Sequence, residues 1–169
     1  MIRQLRVRGY KSLQDDTLTM RPLRILIGAN AAGKSNVVDA LRFLPEAVPS
    51  DVATALARRG GLPTVVFLGS PEKRFELGLD YGMPGSDDGE TPAEFRYTLV
   101  VAEHDGMPGV SVEALKNAPN GRAALNQAWL QSAWGKGSAP KHHDEQHPTT
   151  FELDSETTLA LRAVGVFDE

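Results

Sequence analysis

The chain has 169 residues, of which 41% are apolar and 24% charged, and a formal net charge of −4; that is enough for one domain with a sizeable core. No apolar run approaches the roughly 18 residues of a membrane helix, the start MIRQLRVRG is too interrupted for a signal peptide, and the absence of cysteine excludes disulfides and thiolate chemistry. These features predict a cytoplasmic protein with no membrane partner. The charge is uneven: residues 1–74 carry 12 Lys+Arg against 6 Asp+Glu, and residues 75–169 carry 6 against 16. The basic half is the one suited to an anion.

In chain order, IRQLRVRGY alternates and predicts a strand, with DDTLTM after it as the return of a hairpin. LRILI, residues 23–27, is a short apolar run of the kind that forms a buried strand. Val37, Val38, Leu41 and Leu44 share one face of a helix from Lys34 to Leu44, which Pro45 should end. SDVATALARRG predicts a second helix capped by Ser50 and closed by Gly60. Residues 64–69, 74–82, 94–103 and 109–116 read as strands of an antiparallel meander, with a polar turn-rich loop between the second and third. A helix is predicted through GRAALNQAWLQSAW, and an aperiodic loop through GKGSAPKHHDEQHPTT. FELD is one more strand candidate, and SETTLALRAVGVF a last helix that Ser155 would cap.

Gly28-Ala29-Asn30-Ala31-Ala32-Gly33-Lys34-Ser35 satisfies G-x-x-x-x-G-K-[ST]. Each fixed position has a physical reason. Gly28 would allow a sharp exit from the strand, and Gly33 would let backbone N–H groups approach a phosphate. The helix opening at Lys34 turns unpaired N–H groups and its positive dipole end toward that anion. Lys34 would reach the β- and γ-phosphates of a nucleotide, and the Ser35 hydroxyl would bind Mg²⁺. The alternative is a strand-turn-helix connection that merely needs glycine.

IRQLRVRGYKSLQDDTLTMRPLRILIGANAAGKSNVVDALRFL resembles the N-terminal segment of the SMC/RecF/OLD-like ATPases, the ABC-type AAA group. The parts in common are the first strand ending in Tyr10-Lys11-Ser12, the loop with Asn30 inside it and Asn36 after it, and the helix continuing as DALRFL. The resemblance implies an α/β P-loop NTPase head with an antiparallel β-lobe, ATP and Mg²⁺ as cofactors, and a homodimer of heads. It also implies action on DNA or beside a nuclease partner. It places Asn36, and also Lys11 and Ser12, close to the nucleotide; a plain exposed strand-end residue is the alternative for Lys11. Asp39 reads as a solvated helix residue rather than a metal ligand. Within this frame residues 1–60 form the hairpin, loop and helices, 61–116 the antiparallel lobe, and 117–169 a helical and loop region.

Relatives hydrolyse ATP between two heads, one supplying a Walker B carboxylate pair and the other a signature loop. Nothing in residues 37–169 reads as that signature. AVGVFDE, residues 163–169, has the outline of a Walker B, in which Asp168 would organise Mg²⁺ and Glu169 would polarise water. The competing reading is that the sequence breaks off before the second half of the family's head, leaving turnover dependent on that half. Two other functions stay open: a nucleotide-responsive module without hydrolysis, and a small-molecule kinase, for which Arg96, Arg122 and Arg162 offer little basic lid.

Outside the loop, His142, His143, Asp144 and His147 cluster in sequence. His143 and His147 would share a helical face able to bind zinc, but H-E-x-x-H is not met and Pro148 would end a helix at once; a solvated loop is the plainer reading. Trp129 and Trp134, placed on a helix, suggest packing rather than base stacking. Arg3, Arg6 and Arg8 read as a solvated strand face or as phosphate contacts to DNA.

Overall fold

The computed structural model describes residues 1–83, 93–117, 128–141 and 144–163. Strands β1 (Ile2–Tyr10), β2 (Leu13–Thr19), β3 (Arg74–Met83), β4 (Ala93–His104), β5 (Met107–Asn117), β6 (Ala128–Ala133), β7 (Lys136–Lys141) and β8 (Asp144–Glu152) form one sheet in the order β2-β1-β3-β4-β5-β6-β7-β8. Every pairing is antiparallel. The helices are α1 (Lys34–Ala47), α2 (Val52–Ala57), α3 (Leu62–Val65) and α4 (Ala160–Ala163). The expected α/β layering is therefore present only as helices on a mostly antiparallel sheet.

Alternation along β1 divides the sheet's faces, because successive side chains point to opposite sides. Leu5 and Val7 are buried, whereas Gln4 and Arg6 are half-buried and Arg8 is exposed. In register, Val7 lies opposite Leu77, Leu77 opposite Leu99, and Leu99 opposite Glu113. A neighbouring row runs Leu5, Leu79, Tyr97, Leu115. On this face α1 packs Val37, Ala40, Phe43, Leu44 and Ala47 into the core. Phe43, Phe75 and Tyr10 meet edge to face, with ring centroids 5.2 to 6.3 Å apart. The opposite face is polar. There Asp80 accepts from Arg6 (3.2 and 2.9 Å) and from Arg96 (2.8 and 3.0 Å), and Asp15 accepts from Arg8 (2.9 Å).

Glu113 is fully buried at the end of an apolar row. It persists there because four donors surround it: Tyr97 Oη (2.9 Å), Ser132 Oγ (3.1 Å), and the N–H groups of Ala160 (2.5 Å) and Leu161 (3.1 Å). Burial pushes its carboxyl above the ordinary value, only partly offset by those four bonds.

Several local expectations are corrected. Residues 23–27 form no strand: Leu23, Ile25 and Ile27 are 78%, 71% and 92% exposed, with no neighbouring strand among the described residues to bury them. Residues 64–69 are not a strand either, since the turn of α3 takes Thr64 and Val65, and Val66 makes only an isolated bridge to Tyr10. Helix α1 runs through Pro45 to Ala47: the proline costs it a backbone hydrogen bond, and burial of Leu44 and Ala47 on either side offsets that cost. Asp51, not Ser50, caps α2 by accepting from the Thr54 N–H (2.6 Å); the Ser50 hydroxyl donates to the Glu46 carbonyl (2.7 Å).

The helix expected over 121–134 is a strand from Ala128 to Ala133, paired with β5, and residues 121–127 lie outside the described residues. The expected loop after it is the β7–β8 hairpin. The last helix is only Ala160–Ala163, and Ser155 Oγ accepts from Thr157 N–H (3.3 Å) in the turn before it instead of capping it. FELD falls partly within β8, which ends at Glu152.

Candidate functional site

The end of the β1–β2 hairpin and the start of α1 meet at residues 28–36. Gly33 precedes α1 in the left-handed region (φ 83°), and Ala31 adopts φ 64°. The sharp turn therefore falls on Ala31 and Gly33, not on Gly28, whose φ is not positive. A side chain at Gly33 would be blocked as well as strained, since its Cβ would lie 2.8 Å from Ser12 Oγ. Asn36 Nδ2 donates to that same Ser12 oxygen (2.7 Å), fastening α1 to the hairpin.

The Lys34 ammonium donates to the carbonyls of Gly28 (2.6 Å) and Ala29 (2.5 Å), so the lysine folds across its own loop. The Gly33 carbonyl accepts from Asn36 N–H (3.0 Å) and Val37 N–H (3.1 Å). The N–H groups of Lys34 and Ser35 have no backbone partner among the described residues, as the start of a helix dictates. The first turn contains no acidic residue. Residues 28–32 and Ser35 are exposed. This donor set fits a phosphate: free N–H groups, an ammonium and a hydroxyl around a glycine that keeps the approach open. Ser35 Oγ is the one hydroxyl in it suited to Mg²⁺, an ion that binds through few protein ligands plus phosphate oxygens. No group of three acidic or histidine residues able to hold a metal is present among the described residues.

Next to this loop lies a cluster that reading along the sequence missed. Asp39 is not a solvated helix residue. Its Oδ2 takes the Lys11 ammonium (2.6 Å) and accepts from the Tyr10 hydroxyl (2.7 Å), while Oδ1 takes Arg59 Nε (3.1 Å). Arg59 also pairs with Glu46 (2.7 Å) and stacks on Phe43 (5.1 Å to the ring centroid). Burial alone would raise the Asp39 carboxyl, but bonds from Lys11 and Tyr10 and the Arg59 charge outweigh it and hold it below the usual value. Burial, and then Asp39, push the Tyr10 phenol well up, so it remains a donor. The available signal was positional: Asp39 lies four residues after Ser35 and one before buried Ala40, at the edge of the core face.

Asp168 and Glu169 lie outside the described residues, as do His142 and His143. Asp144 and His147 stand on β8, a strand where a helix would have been needed to present His147 for zinc. Trp129 is on β6, and Trp134 sits in the β6–β7 turn, with its ring 4.5 Å from that of His104. Arg3 pairs with Glu94, Arg6 with Asp80 and Arg8 with Asp15, so each of the three already has a carboxylate. A cleft of about 300 Å³ lined by Arg8, Gly9, Phe67, Arg74 and Glu76 does not include the loop. Among the described residues, no helix is long and apolar enough to cross a membrane.

No curated protein matches the chain. The AAA ATPase domain family matches residues 1–90, more than half of the 169, a span that includes β1, β2, the loop, α1 to α3 and β3. The chain therefore belongs to the AAA ATPase domain family, P-loop ATPases that work with ATP and Mg²⁺.

Proposed function

We propose that this chain is the ATP-binding portion of an SMC/RecF/OLD-like ATPase, taking the phosphates of Mg·ATP on Gly28, Ala29, Asn30, Ala31, Ala32, Gly33, Lys34, Ser35 and Asn36. The observation that carries the reading is the open loop in front of α1, where Lys34 and unpaired N–H groups converge with no acid in the first turn. Lys34 would exchange the Gly28 and Ala29 carbonyls for phosphate oxygens, which are stronger partners because they are charged. Ser35 would hold the metal, and Asn36 and Ser12 keep the helix start fixed to the hairpin. Mg²⁺ supplies charge neutralisation across the β- and γ-phosphate oxygens.

Turnover asks for more than this. A carboxylate pair must hold the far side of the metal and orient water, and the described part of the loop contributes none. We assign that role to a second half of the head, in a homodimer acting on DNA or beside a nuclease partner. Residues 1–60 would be the nucleotide-binding part and 61–116 the lobe. In the described part of 117–169, β6 to β8 extend the sheet.

Calorimetry with Mg·ATP, comparing wild type and Lys34→Ala while phosphate release is followed, tests the proposal. Losing a charged phosphate contact of this kind should weaken binding about 100-fold, with no sustained release from wild type. Equal binding by both proteins would overturn it. Steady Lys34-dependent release would instead mean that the chain completes its own site, and would turn attention to Asp168 and Glu169.

A further inference from the structure

We infer that Asp39 is a positioning residue for the phosphate loop: it holds the Lys11 ammonium at the loop's rim and ties that rim, through Arg59, to the end of α2. The inference rests on the nucleotide-binding reading above and adds to it a residue that touches no phosphate itself. Three chain segments converge on one carboxylate: Tyr10 and Lys11 from the end of β1, Asp39 from α1, and Arg59 from the residues after α2. Their charges are not equally replaceable. Arg59 is 6% exposed and has Glu46 as a second carboxylate, whereas Asp39 is the acid that Lys11 pairs with among the described residues.

The placement of Lys11 is enforced by the backbone as well. It occupies the tight turn between β1 and β2 with φ 51°, and its N–H donates to the Val65 carbonyl (2.6 Å). The next residue is Ser12, whose oxygen lies beside Gly33 and bonds Asn36. The base of the Lys11 side chain is thus one residue from the loop, and its tip is anchored on the helix that the loop opens. Its side chain is 28% exposed, so the lysine is not sealed into the core. With Asp39 in place, the long lysine is held near the loop before a nucleotide arrives, which removes part of the ordering cost of binding.

A double-mutant cycle on Mg·ATP affinity, with wild type, Lys11→Met, Asp39→Asn and the double variant, tests this. Each single variant should weaken binding by about fivefold, the upper range for a partly exposed ion pair, and the double variant should be no weaker than Lys11→Met alone. A purely structural Asp39 would give multiplying effects, and that result overturns the inference. So does Lys11→Met binding as wild type does, a measurement that stands even if Asp39→Asn fails to fold. Lys34→Ala in the same series separates the two readings. Wild-type binding that does not depend on Lys34 removes both, whereas Lys34-dependent binding with multiplying effects removes only this one.

Discussion

Two stretches flank the start of α1 and share a similar apolar content, yet they have opposite fates. Residues 37–47 bury Val37, Ala40, Phe43, Leu44 and Ala47 over the sheet, whereas residues 23–27 leave Leu23, Ile25 and Ile27 in water. Both segments carry the hydrophobic side chains that burial requires. The difference is a partner surface: β1 and β3 lie under the helix, and no described strand lies beside 23–27. Hydrophobicity provides a driving force, and topology decides whether it is used.

The contrast can be broken by mutation. Phe43→Ala removes a ring at the centre of the Tyr10–Phe75 cluster and should cost about 3–5 kcal/mol in urea unfolding. Glu113→Ala should cost about 3 kcal/mol, because four donors would lose their acceptor. Its pH signature is also specific. The folded carboxyl is raised above 4.5, so the native state binds the proton more tightly, and stability should fall as pH rises from 4.5 to the folded value. Urea midpoints of Glu113→Gln should lose that slope. Asp39 and Asp80 have the opposite sign: their carboxyls are lowered below 3.8, so the stability they add is lost as pH falls below that value. Ile25→Ser combined with Ile27→Ser should move the unfolding free energy by no more than about 0.5 kcal/mol. A large loss there would show that the segment is covered in solution and would abolish the comparison.

Much of the front half was legible from sequence because its signals are local. Alternation marks β1 and β3 to β5, the spacing of Val37, Leu41 and Leu44 marks α1, and the glycine-lysine pattern marks the loop. The errors fall where the deciding contact is distant. AWLQSA has no periodicity that separates helix from strand, and it becomes β6 by pairing with Glu113 to Lys116. KGSAPK reads as a linker until β6 and β8 enclose it. LRILI has the composition of a buried strand but lacks neighbours. Asp39 shows the same limit at the site. Its partners stand 20 to 29 residues away in sequence, so a single helix face gives no hint of Tyr10, Lys11 or Arg59.

Strand β2 ends the sheet on one side, and its outer edge carries Gln14, Asp15, Asp16 and Thr17, all exposed. An open edge is a template for adding strands from other molecules, and charge is a common guard against it. The aspartates at 15 and 16 would place like charges opposite one another in many edge-to-edge pairings of two copies. A chain that leaves isoleucines bare a few residues further on thus keeps its nearest open edge acidic, which disfavours growth into fibrils from that side.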